Sequence, residues 1–334
     1  AFCGKTLHII DLKKLQYWNR IFKAYILGNT SQLTFWHGEP QINPKIETDS
    51  LGPYYMLFHK KAEYDGKTDN DGIPMLDYQG SIGLQYNPIA IAQWGLGNYN
   101  IWHESKSESH YKNYIKCADW LVDNLEENSY GLKVWMHYFD FEYRDTLKSP
   151  WYSGLAQGQG ISVLVRAYKE THQEKYKKAA HDAFNVFDVA TVNGGVNFID
   201  ANGNSWIEEY IVHPPTHILN GFIWGLWGVY DFAKQFESEH AKGLFNKYNG
   251  TLIQELESYD TGFWSLYEHS GTWLKMIASS FYHKLHIIEL RVMYQLTSEN
   301  IFNEIANKWA GYLNSPFNRK RAFLQKAIFK VFYY

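Results

Sequence analysis

The sequence predicts a mainly α fold: an (α/α) toroid of helix pairs with interspersed β-hairpins and a small N-terminal appendage. Amphipathic helical segments arrive in pairs after Pro88. Short alternating stretches with turn residues lie between the pairs. The sequence pair, hairpin, pair then repeats, as in architectures built by stacking one supersecondary unit. A closed ring is preferred to an open solenoid, because the first and last pairs carry similarly apolar helices and no polar cap sequence stands out.

Residues 1–75 form the expected appendage. A helix is expected over 12–27, then irregular chain broken by Pro40, Asn43 and Pro44. GPYYMLFHKK (52–61) reads as a strand and DGKTDNDGIP (65–74) as a polar turn. The toroid is expected over 76–334, with helix pairs at 89–98 and 110–125, 154–171 and 174–190, 218–236 and 242–256, and 281–296 and 301–313. In the second of these Trp120, Leu121 and Leu125 fall on one face. The strand-like runs are KVWMHYFDFEY (133–143), VNFIDANGNSWIEEY (196–210) and GFWSLYEHSGTWL (262–274), the second turning at Asn202-Gly203.

A chain of 334 residues can bury a large core in one or two domains. The balance of 32 basic and 35 acidic residues, net charge -3, implies no broad attraction to nucleic acid. No apolar run is long enough to span a membrane, and the opening AFCG carries no signal peptide. The reading is therefore a soluble chain of undetermined compartment. Cys3 and Cys117 make no disulfide framework, and Cys117 reads as a small core residue. Aromatic residues reach 18%, with 26 tyrosines. Most belong to a core, and an excess of Tyr and Trp also suits a groove where rings stack on sugars.

The segment SWIEEYIVHPPTHILNG (205–221) sets Glu208, Glu209 and Tyr210 ahead of a stiff Pro214-Pro215 and a new helix. Acidic and phenolic groups on such a loop suit catalysis or carbohydrate contact; a solvated acidic turn is the alternative. In WYSGLAQGQGISVLVRAY (151–168) the glycines suit close helix packing, and the segment lacks the ending of a phosphate loop. Trp151, Tyr152, Gln157 and Gln159 would suit a sugar site. Tyr282 and His286 share a helix face. His283, His286 and Glu289 lack a metalloprotease spacing or a Cys partner, so neither metal nor cofactor is expected. No Gly-x-Ser-x-Gly elbow is present.

Several of these segments resemble the C-terminal domain of the D-glucuronyl C5-epimerases. They are YNPIAIAQWGLGNY (86–99), ADWLVDN (118–124), PWYSGLAQGQGISVLVRAY (150–168), WIEEY (206–210), LNGFIWGLWGVYD (219–231), YDTG (259–262) and SFYHKLHIIEL (280–290), in the family's order. The resemblance implies a dimeric toroid that inverts C5 of glucuronate in a heparosan-like anionic polysaccharide, giving iduronate. It places the catalytic groups on Glu209, Tyr210, Tyr267 and Tyr282. Substrate contacts fall on Tyr86, Gln93, Trp151, Tyr152, Gln157, Gln159, Asn220, His286 and Arg291. Where larger members carry an arginine three residues after the tyrosine matching Tyr267, this chain has Ser270; His269, Lys275 or Arg291 are the substitutes to consider. The domain preceding the helices is also shorter than in animal members. A lyase sharing the first step, a hydrolase drawing a second carboxylate from Asp260 or Glu268, and a non-catalytic glycan-binding module are the rival readings.

Overall fold

The computed structural model describes residues 35, 38–141, 143 and 146–333. The helix expected at 12–27 and Cys3 lie outside the described residues. The chain is mainly α and of the (α/α) toroid type, with few small strands. After a single helical turn, α1 (His59–Ala62), come four helix pairs. They are α2 (Pro88–Ser105) with α3 (Glu108–Asp123), α4 (Gly154–Thr171) with α5 (Glu174–Phe184), α6 (Leu219–Phe236) with α7 (Glu239–Glu255), and α8 (Ser280–Thr297) with α9 (Asn300–Asn314). A last helix, α10 (Pro316–Tyr333), packs on α9. The sequence reading assigned no element there.

The repeat is visible in the joints. Each first helix of a pair ends at a non-glycine residue in the left-handed region: Lys106 (φ 56), His172 (φ 54), Glu237 (φ 48) and Ser298 (φ 60). That residue's N–H returns to a carbonyl of the last turn, which satisfies part of the helix end and aims the chain back along its partner. Four of the eight paired helices are also capped at their starts: Asn87 accepts from the Ile89 and Ala90 amides, and Ser153, Ser238 and Ser279 from those of Ala156, Ala241 and Tyr282.

Burial separates inner from outer helices. Residues 88–100 of α2, 154–167 of α4 and 219–232 of α6 are buried without interruption. By contrast, α3 buries only a stripe of Tyr114, Cys117, Ala118 and Leu121. Successive inner helices pack on one another, α2 on α4, α4 on α6 and α6 on α8. The α4–α6 contact is the closest kind, since a Cβ on Gly158 or Gly228 would strike the facing backbone. The packing reading of the α4 glycines therefore holds.

A buried ion pair locks the same two helices. Arg166 and Asp231 are both wholly buried, with Nη1 to Oδ2 at 2.5 Å. Arg166 also donates to the Gly52 carbonyl at 2.9 Å, and the Tyr55 hydroxyl donates to Asp231. Removing one member would strand a buried charge, the expensive way to break such a pair. Through these bonds residues 51–62 become part of the same core, with Tyr54 and Tyr55 against Trp227 at 6.0 and 5.3 Å. They do not form the expected strand. Tyr54 and Tyr55 are both buried, whatever face each would have taken, and pairing is limited to the bridge Ile42↔Met56.

Among the described residues, three two-stranded antiparallel hairpins decorate the ring: β1 (Leu76–Asp77) with β2 (Leu84–Gln85), β3 (Leu125–Glu127) with β4 (Lys133–Trp135), and β5 (Asn197–Ile199) with β6 (Ser205–Ile207). The third is as expected, with Gly203 at φ 85 in its turn. Leu125, expected at the end of a helix, pairs with Trp135 instead. Among the described residues, the runs 136–141 and 262–274 keep only isolated bridges, such as Phe141↔Leu147 and Leu266↔Ile277. A lone two-stranded ribbon is marginal, so pairing ends once its partner turns away.

Candidate functional site

The hairpin β5–β6 delivers Glu208 and Glu209 to the start of α6, and the two part company there. Glu208 turns to His217, meeting its Nδ1 at 2.5 Å and accepting from its amide at 3.2 Å. The Gly154 amide donates to the Glu208 carbonyl at 3.0 Å. His217 in turn stacks on Trp206 at 4.2 Å, and Tyr259 donates to its carbonyl at 2.6 Å. Glu208 is thus the anchor that pins the loop carrying Pro214 and Pro215.

Glu209 is buried, and its Oε2 has no hydrogen-bond partner among the described residues. It fits only because residue 221 is glycine: a Cβ there would overlap the Glu209 carboxyl group. Burial, with smaller repulsion from Glu268 and Glu208, raises its pKa from the usual 4.5 to about 8, although a hydrogen bond from Tyr210 opposes the shift. Asn220 is buried beside Gly221 in the chain, with its Oδ1 also unpartnered.

Tyr210 stands in an aromatic enclosure, with ring centroids 4.8 Å from Tyr143, 5.6 Å from Phe141 and 5.7 Å from Trp151. Trp151 is a wall of this enclosure, stacked on His137 at 3.8 Å and bonded through Nε1 to the Phe139 carbonyl at 2.9 Å. Tyr267 and Tyr282 form a second pair, centroids 4.8 Å apart at 63°. The Tyr267 carbonyl accepts from Leu219 at 3.1 Å, tying it to the first turn of α6, two residues before Gly221. Tyr282 sits in the first turn of α8. Burial lifts the phenols of Tyr210 and Tyr267 well above their usual value, and the Glu209 charge lifts them further. Tyr210 and Tyr267 are each near enough to both Glu209 and Tyr282 to feel their charge, which joins the four predicted catalytic residues in one cluster.

Three further groups complete the site. Glu268 is buried and accepts from the Tyr143 hydroxyl. Glu289 lies two turns along α8 from Tyr282; both its oxygens lack partners among the described residues, and burial, followed by the Glu209 charge, raises its pKa well above the usual 4.5. Lys326 reaches in from α10, its Nζ 5.5 Å from the Tyr267 ring centroid and 2.8 Å from the Ile277 carbonyl. Burial lowers its ammonium to about 7, Lys330 adds to that, and Glu268 opposes it. A single lysine flanked by Phe323, Leu324, Ala327 and Ile328 was the signal available in the sequence.

The predicted substrate contacts divide. Gln93 donates from Nε2 to Gln159 Oε1 at 3.1 Å inside the ring, leaving Gln93 Oε1 and Gln159 Nε2 unpartnered. His286 is wholly buried, with Nδ1 3.0 Å from Ser265 Oγ and Nε2 unpartnered. Gln157, by contrast, is committed to the fold: Oε1 accepts the Trp135 amide at 2.9 Å, and Nε2 reaches the Lys133 and Ala183 carbonyls. Tyr152 donates to the Gly194 carbonyl at 2.7 Å, and Tyr86 to Asp69 at 2.7 Å. Arg291 is exposed, half a turn out of phase with Tyr282 on α8. The other substitutes for the missing arginine are also elsewhere. Lys275 is exposed, and His269 faces Tyr259 and Ser258, with burial lowering it to about 4. Among the described residues, Lys326 is the cation placed against Tyr267. Among the described residues no group of three His, Cys, Asp or Glu could hold a metal ion, and no helix is long and apolar enough to cross a membrane.

The family described as D-glucuronyl C5-epimerase C-terminus matches residues 127–311. A D-glucuronyl C5-epimerase of Caenorhabditis elegans is 32% identical over 222 residues, 62% of this chain and 36% of that protein. An uncharacterized protein of Methanocaldococcus jannaschii is 28% identical over 198 residues, 58% of this chain and 63% of that one. The chain therefore spans between about a third and just under two thirds of the curated relatives it matches. Among solved structures, an unsaturated glucuronyl hydrolase specific for heparin has a TM-score of 0.49 at 12% identity, covering 84% of this chain and 78% of that one. Cellobiose 2-epimerase from Spirochaeta thermophila has a TM-score of 0.49 at 10% identity, covering 91% and 86%. Neither likeness bears on chemistry. The family match covers more than half of the 334 residues and takes in Glu209, Tyr210, Gly221, Tyr267 and Tyr282, so the chain belongs to the D-glucuronyl C5-epimerase family through that family's C-terminal region.

Proposed function

We propose that the chain is a polysaccharide uronate C5-epimerase, converting D-glucuronate to L-iduronate within a heparosan-type polymer. The observation that carries this reading is Glu209. It is a buried carboxyl group with an unpartnered oxygen, tuned to about 8, and set beside the Tyr267–Tyr282 pair. A proton-transfer group works best with a pKa near the working pH.

The C5 hydrogen of a uronate lies α to its carboxylate. Glu209 takes that proton, the C5–H bond breaks, and its electron pair moves into the carboxyl group as an enolate. The Tyr282 hydroxyl then gives a proton to C5 from the other face, forming the new C5–H bond with inverted configuration. Proton return through Tyr267 and Tyr210 resets the pair. The charge that builds on the enolate needs a cation or donor already in place, and Lys326 supplies it. With an ammonium near 7, Lys326 becomes more fully charged when a carboxylate arrives beside it.

The carboxylates first considered as hydrolase partners are engaged elsewhere, which leaves Glu289 as the buried carboxyl group near Glu209. Glu208 is held by His217, Glu268 by Tyr143, and Asp260 is paired to Lys308 at 2.5 Å. A lyase shares the first step and then expels the O4 substituent, so the product separates the two: proton NMR in deuterated water reports iduronate for an epimerase and an unsaturated uronate for a lyase. Lys326→Met is expected to lower kcat about 10²-fold, the scale of one stabilising donor. The fold should be retained, because α10 keeps its buried Ala322 and Phe329. An unchanged kcat would take Lys326 out of the mechanism.

A further inference from the structure

On the far side of Tyr282 a cavity of about 150 Å³ opens between the N-terminal segment and the inner helices. Phe58 and Lys60 line it from one side, and Gln93, Trp224, Phe281 and Tyr282 from the other. At a water's ~30 Å³ share of liquid volume, that space corresponds to about five waters, on the scale of one sugar ring. Two of the lining residues each carry a buried polar atom with no partner among the described residues, Gln93 Oε1 and Trp224 Nε1, on residues 0% and 6% exposed. Buried polar atoms are normally bonded. An acceptor and a donor among the lining residues match a sugar hydroxyl, which both gives and accepts. The Phe58 and Trp224 rings, 6.2 Å apart and nearly perpendicular, supply apolar surface for a sugar face.

The charge around the cavity is one-sided. Lys60 is exposed at its edge, and Lys61 beside it donates to the Phe35 carbonyl at 2.6 Å. The acidic residue on the lining, Glu39, is paired with Lys284 at 3.2 Å. The local excess is therefore positive. We propose that this cavity is a subsite for one acidic sugar residue of the polymer, next to the residue processed at Glu209, with Tyr282 as the shared wall. The proposal rests on the epimerase reading for its substrate class, and it adds residues of the N-terminal segment to polymer recognition.

The test is calorimetric titration of the full chain with an unsulfated heparosan hexasaccharide and with its carboxyl-reduced, neutral counterpart. Lys60→Glu is expected to weaken the acidic ligand about tenfold and leave the neutral one unchanged. Lys247→Glu, an exposed lysine on α7, should alter neither. Trp224→Phe keeps an aromatic surface, smaller than the indole, and removes the N–H, and should weaken both ligands. Equal affinity of wild type and Lys60→Glu for the acidic hexasaccharide would overturn the subsite even if the wild type epimerises its substrate. Lys60-dependent binding with no proton exchange at C5 would leave the subsite standing and overturn the epimerase reading. Binding of neither ligand by the wild type would overturn both.

Discussion

Glu209→Gln is expected to lower turnover by about 10²- to 10⁴-fold, the range of general acid–base catalysis, while making the protein more stable. The two effects share a cause. In the folded chain the Glu209 carboxyl group titrates at about 8, against a usual 4.5. A group raised in this way favours the fold while protonated. Its contribution is complete below the unfolded value and is lost as pH rises through about 8. Glutamine never ionises and does not incur that loss. The variant's advantage in thermal stability should be absent near pH 4, grow through neutrality, and level off above pH 8. A shift of this size, at about 1.4 kcal/mol per unit, caps the gain at a few kcal/mol. In the direction where Glu209 abstracts the proton, wild-type turnover should rise along the same limb. A stability difference that is flat with pH would contradict the environment described for Glu209, and unchanged turnover would contradict its role.

Tyr267→Phe and Tyr282→Phe should each cut turnover about 10²-fold or more while leaving the fold intact. The substitutions keep both rings, and with them the 4.8 Å contact that shapes this wall. What disappears is the hydroxyl that gives or relays the proton. The double variant should be little worse than the poorer single one, because residues acting as a unit are not additive. Circular dichroism and thermal melting check the fold, and steady-state kinetics on the polymer checks the rate. Wild-type-like rates in both single variants would remove these tyrosines from the chemistry.

The helix pairs were legible because their signals are local. Helical periodicity acts over a few residues, and the caps at Asn87, Ser153, Ser238 and Ser279, which the sequence reading did not use, are equally local. The site was legible by residue type and resemblance but only partly by role. Nothing in the adjacency of Glu208 and Glu209 says which one anchors the loop and which enters the interior; His217 and Gly221 decide that. An amide such as Gln157 suits a sugar equally as well as a backbone, and only the neighbouring carbonyls of Lys133 and Ala183 reveal its commitment. Lys326 was missed because its contact with Tyr267 joins distant parts of the chain. Its helix also mixes exposed Phe317, Phe323 and Leu324 with buried Ala322 and Phe329, so no clean stripe announced it.

The measurement that bears most directly on the epimerase reading is proton NMR of N-sulfated heparosan incubated with the chain in deuterated water. Epimerisation predicts loss of the C5 proton signal, deuterium at C5 and the appearance of iduronate resonances, all abolished by Glu209→Gln. No exchange at C5 under these conditions, or exchange accompanied by unsaturated uronate signals, would contradict it.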